Sequence, residues 1–169
     1  MKKILKIVED NKASLGIRFA NLLIDRAMIY LLFFLYGVFS VLTYELLNIE
    51  FFVNITDKLS SMNRVQDIIL TSLIYFLYLF LMEYFTKGRT IGKYITGTKV
   101  LSTDGTQPTL QDYFIRTISR FVPFDPFSFF GYNGWHDNWS NTRVISIKKY
   151  ESDRQAKSDI NAIGTKEIA

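Results

Sequence analysis

The stretch AMIYLLFFLYGVFSVLTY, residues 27–44, runs 18 positions without one Asp, Glu, Lys, Arg or His, and IILTSLIYFLYLFLM, residues 68–82, runs another 15. Soluble cores rarely need two such runs in so short a chain, whereas one bilayer crossing takes about 20 helical residues. The two runs therefore read as membrane-spanning helices over about residues 19–47 and 65–85. A signal peptide is a poor reading of the first. It is too long, Asp25 and Arg26 lie within its helix, and no A-x-A-like cleavage site follows. The whole chain has 169 residues, a net charge of +4 and no cysteine. That length suits a single domain, and the missing cysteines exclude a disulfide scaffold, a Cys nucleophile and a thiolate zinc site.

Charge is distributed unevenly around the runs. Residues 1–18 carry five Lys/Arg against two acids, residues 48–67 two against three, and residues 86–150 nine against four. Short flanks rich in Lys and Arg stay cytoplasmic, so both termini are expected inside and the 48–67 loop outside. The expected fold class is an all-α integral membrane protein with two transmembrane helices, N-in and C-in. A cytoplasmic-side amphipathic interfacial helix and a small β element complete it.

Three parts follow from the flanks. Residues 1–14 form an amphipathic N-terminal segment, with Ile4, Leu5 and Val8 against Lys2, Lys6 and Glu9, suited to lying on the inner membrane surface. Residues 15–150 form the membrane domain, its first helix capped by Ser14. Residues 151–169 are polar and aperiodic and read as a disordered tail. Within the domain, 110–122 is helical, with Phe114, Ile118 and Phe121 on one side and Asp112, Arg116 and Arg120 on the other. Pro123 and Pro126 end it too early to span, so its Phe side is expected in lipid. An aromatic stretch from Phe124 to Tyr132 would then dip shallowly into the membrane. Lys99 to Leu101, followed by Asp104-Gly105, reads as a strand and turn pairing with residues 143–147.

Chemistry concentrates at the inner ends of the long helices. Arg18 and Asp25, seven apart, differ by about 20° around a helix, with Asn21 on the same stripe. A carboxylate at that depth costs about 2.5–3.5 kcal/mol on insertion scales, so the stripe is expected to face protein. Glu83 is the first acid after the second run, with Arg89 and Lys93 just beyond. Two readings stand. In one, Arg18 pairs with Asp25, and Glu83 with Arg89 or Lys93, as a structural ionic network. In the other, Asp25 and Glu83 alternate between proton and cation along an ion path.

Other signals carry less. Gly88 to Lys93 has the wrong spacing for a phosphate loop, and Tyr94 stands where Ser or Thr would coordinate magnesium. One histidine, His136, builds neither a zinc site nor an oriented base, so no catalytic residue, metal or cofactor is expected and the chain is read as no enzyme. Trp135 and Trp139 suit interfacial anchors. The basic inner face suits anionic lipid, with no nucleic acid among the expected partners.

In this order these residues resemble the RDD family of bacterial membrane proteins. Arg18-Phe19-Ala20-Asn21-Leu22-Leu23-Ile24-Asp25 is similar to its first-helix signature. Glu83, Gly88 to Lys93, Lys99-Val100 and Asp104-Gly105 resemble its second block, Arg116 and Arg120 its paired arginines, and His136-Asp137, with Ser140, Thr142 and Val144, its closing motif. The chain departs from the family pattern over residues 122–134, where Phe and Pro replace a more aliphatic stretch often drawn as a third membrane segment. The resemblance implies a bacterial cytoplasmic-membrane location and a transport role, some members having been proposed as sodium/proton antiporters. On that reading Asp25 and Glu83 titrate, Arg18 tunes Asp25, and Asp137 gates from the cytoplasmic side. Two helices cannot enclose an ion path alone, so a homo-oligomer or a larger membrane complex is expected. The alternative is an auxiliary or assembly subunit whose ionic network is purely structural.

Overall fold

The structure, a computed structural model, describes residues 4–121 and 135–166. In chain order the helices are α1 (Lys6–Asp10), α2 (Leu15–Leu47), α3 (Phe51–Ser60), α4 (Arg64–Phe85), α5 (Ile91–Thr96), α6 (Leu110–Ser119), α7 (Trp135–Trp139) and α8 (Ile147–Lys166). Strands β1 (Thr98–Ser102) and β2 (Thr142–Ser146) pair antiparallel, with Val100 opposite Val144.

The long helices arise where the apolar runs predict them. Ser14 accepts the Ile17 N–H and starts α2. Asn63 and Gln66 form a reciprocal capping box that starts α4. Both helices are long and apolar enough to cross a membrane. At 1.5 Å per residue α2 reaches about 50 Å and α4 about 33 Å. They meet where Ile29 packs against Tyr75 and Leu79, flanked by Phe33 and Tyr78. Elsewhere they present Leu, Ile and Phe outward, as lipid-facing helices do.

At the other end from α3 sits a polar cap. Its small apolar centre is Val8, Leu101, Ile145 and Tyr150. The chain before α2 runs along β2, with Lys12 bridged to Ile145 and the Ala13 N–H donating to the Val144 carbonyl at 2.8 Å. The Asn11 amide donates to Asp153 at 2.7 Å, so the end of α1 and the start of α8 lie on the same side of the two long helices.

Several expectations need correction. The N-terminal segment is helical only over α1, and Val8 is fully buried in the cap rather than facing a membrane surface. A helix, α3, occupies the loop that reads as polar. It folds back on α2 through Phe39–Phe52 ring contact (5.0 Å) and a Thr56–Ser40 hydroxyl bond (3.1 Å). Residues 147–166 are helical rather than disordered, because Lys, Glu, Gln, Arg and Ala favour helix even without an apolar stripe. Helix α6 ends at Ser119, and its apolar side is only partly covered: Phe114 and, just beyond the helix, Phe121 touch α4 while remaining 44% and 39% exposed. Phe114 meets Phe76 and Phe80, while Phe121 meets Tyr75 and Phe76. The expected aromatic dip, with the question of a third membrane segment, lies outside the described residues.

Candidate functional site

The stripe of α2 is buried as its spacing predicts, but its three residues do separate jobs. Asn21 straps the cap to the helix: its amide donates to Thr98 Oγ1 at 3.0 Å and its carbonyl accepts from the Thr96 hydroxyl at 2.6 Å. Asp25 makes no ion pair with any described residue. It accepts from the Thr90 hydroxyl (2.6 Å), the Gly92 N–H (2.9 Å) and the Tyr78 hydroxyl (3.0 Å). Thr90 is the N-cap of α5 and Gly92 lies in its first turn, so the carboxylate satisfies orphan donors where the helix dipole is positive. Glycine is required at 92, because a Cβ there would stand 2.6 Å from the Asn21 carbonyl oxygen.

Arg18 pairs with Asp137, brought in on α7, and not with Asp25. A helix stripe places two residues on one face but does not oblige them to touch: seven residues of rise separate them by about 10 Å. Asp137 also accepts from Arg116 of α6. Arg116 donates to Thr142 Oγ1 at 2.8 Å and sets its Nε 3.4 Å from Glu83, joining the two acids. Glu83 further accepts from Lys93 and, at 3.1 Å, from Arg120. Arg143 extends the chain of charge outward, donating to the Asp137 carbonyl at 3.3 Å and to Glu9 at 3.0 Å.

Glu83, Arg116 and Asp137 are all 0% exposed, which sets the electrostatics. Removing charges from water costs several kcal/mol per ion, and only close, multiple partners offset it. Burial, reinforced by Arg120 and only partly opposed by Glu83, lowers Arg116 to about 9. Burial likewise lowers Lys93 to about 7, against the attraction of Glu83 and with the help of Arg116 and Arg120. The Tyr113 hydroxyl is raised by burial and by the Glu83 charge. Glu9 is lowered: burial pushes it up, but Arg143 and Lys12 outweigh that.

Of the residues marked by sequence, the structure gathers Arg18, Glu83, Lys93, Arg116, Arg120 and Asp137 into one cluster. Asp25 and Asn21 hold the neighbouring α5–β1 unit. Arg89 stays outside the cluster, its guanidinium 5.2 Å from the Tyr94 ring. His136 sits in α7, with its imidazole outside what is described. Sequence reasoning missed Arg143 and Tyr78 as members of the site; Thr90 and Thr142 lay inside the blocks that resemble the family motifs but had no role or partner assigned. Thr90 was legible as a helix cap before Ile91; nothing in sequence marked Tyr78. Among the described residues, no group of three His, Asp or Glu is placed to hold a metal.

These features define a helical membrane protein whose two long helices are joined to a polar cap by a buried ionic core. The chain belongs to the RDD family, whose model matches residues 12–145. Among curated proteins and solved structures, none matches it.

Proposed function

We propose that this chain is a non-enzymatic auxiliary or assembly subunit of a bacterial inner-membrane complex, or of its own homo-oligomer, with both termini cytoplasmic. The excess of Lys and Arg flanking the spans supports that orientation. One observation carries the functional reading: the acids of the cluster are already committed. Glu83 faces Lys93, Arg116 and Arg120, and Asp137 faces Arg18 and Arg116. A sodium ion entering there would meet guanidinium and ammonium groups before any free carboxylate. The core serves instead to hold α4, α5, α6 and α7 in one register and to fix the cap against the bilayer. Extraction in mild detergent followed by mass measurement tests this. The expected particle exceeds the 19.7 kDa chain, as a symmetric oligomer or together with an unrelated protein. A strictly monomeric particle that carries out cation flux would sink the reading.

A second reading, transport of a monovalent cation against protons, rests on Asp25 alone. Its three hydrogen-bond donors among the described residues are neutral, unlike those of Glu83 and Asp137.

A further inference from the structure

We propose that the hollows beside the end of α3 form a binding site for one glycerophospholipid of the leaflet at that end of the protein. The proposal rests on the reading of α2 and α4 as membrane spans and is independent of what the ionic core does.

Beyond the meeting point of Ile29 with Tyr75 and Leu79, a crevice of about 280 Å³ opens between α2, α3 and α4. Its walls are Ile29, Leu32, Phe33, Tyr36, Leu59 and Ile74. The one polar group among them, the Tyr36 hydroxyl, donates to the Phe52 carbonyl at 3.4 Å. A site so lined gives water no partners. Its bulky walls lack the small residues that let a neighbouring helix approach closely. A hydrocarbon chain fits both the chemistry and the width.

Next to it lies a second hollow of about 410 Å³ whose lining changes character along its length. Ile69, Leu70 and Leu73 continue the apolar wall along one face of α4, at the spacing that also brings Gln66 onto that face. Lys58, Ser61 and Gln66 form the rim. The two hollows take adjacent residues of the same elements, Leu59 beside Lys58 on α3 and Ile74 beside Leu73 on α4. Lys58 is exposed and makes no ion pair with any described residue. The Gln66 side-chain carbonyl accepts from the Asn63 N–H, which leaves its amide nitrogen to donate. An ammonium and an amide N–H₂ above two apolar slots match a phosphodiester above two acyl chains.

Native mass spectrometry of the full chain released from mild detergent tests the assignment, with circular dichroism confirming folded protein. Wild type is expected to retain one phospholipid per chain. Lys58→Ala is expected to lower its occupancy about tenfold. Leu59→Trp, which fills the crevice without touching the charge, should do the same, and Arg64→Ala, outside the hollows, should leave occupancy unchanged. Equal retention in wild type, Lys58→Ala and Leu59→Trp would overturn the proposal, as would a folded wild type carrying no lipid. So would a lipid-free dimer, which would make a second copy the occupant. Recovery of the chain in the soluble fraction would instead refute the membrane reading beneath it, an outcome distinct from a membrane-bound chain without lipid.

Discussion

Arg116 shows what single residues do in this protein. From the exposed-looking side of an amphipathic helix it turns inward and joins Glu83 to Asp137. Removing one partner of a buried pair costs about 3–5 kcal/mol in soluble proteins, because the other charge stays buried. The pairing of Arg18 can be checked by double-mutant cycles on thermal unfolding in detergent. Arg18→Ala with Asp137→Ala should show coupling of about 1–3 kcal/mol, while Arg18→Ala with Asp25→Ala should be additive within about 0.5 kcal/mol. The reverse ranking would restore the intrahelical pair. Lys93 adds a pH signature. Its folded pKa is depressed to about 7 from an ordinary 10.5, so between those values the unfolded chain binds more protons. Its contribution to stability therefore rises as pH rises through that window. Lys93→Met should flatten the slope of melting temperature between pH 7 and 9; an unchanged slope would place the titration elsewhere. That Arg18, Asp25 and Glu83 face protein was legible from their place at the inner ends of the apolar runs. Who pairs with whom was not, because Asp137 and Arg116 arrive from elements that sequence cannot orient.

At the scale of elements, apolar periodicity gave both long helices nearly to their ends, and the Lys99–Leu101 strand was found with its partner. The misses have physical causes. Helix α3 is too short and too polar to announce itself, and forms because Phe52 and Thr56 find Phe39 and Ser40 on α2. Helix α8 is polar around its circumference, so it leaves no stripe to read. The contact of α5 with α2 depends on close backbone approach at Gly92. Gly92→Ala is expected to cost roughly 1–3 kcal/mol, as overpacking does. Gly37→Ala, where a Cβ meets nothing within 4 Å, should be neutral or slightly stabilising. Equal melting temperatures for the two variants would mean that α5 is not held at that point.

For the molecule as a whole, the shared cap holds α1 and the start of α8 together on one side, and the charge asymmetry supports the proposal that this side is cytoplasmic. A cysteine at Ser60 should react with an impermeant maleimide in intact cells, and one at Ser152 should not; labelling at Ser152 alone would invert the orientation. On the proposed reading the buried acids serve for fastening: Asp25 at the start of α5, Glu83 on α5 and α6, Asp137 on α2 and α6. Cation-driven proton flux in proteoliposomes, comparing wild type with Asp25→Asn, reaches that claim most directly. A structural core predicts no flux above empty liposomes from wild type, and a substituted protein altered in stability alone. Cation-dependent flux in wild type, abolished in a variant that still folds and inserts, would show that Asp25 carries the ion.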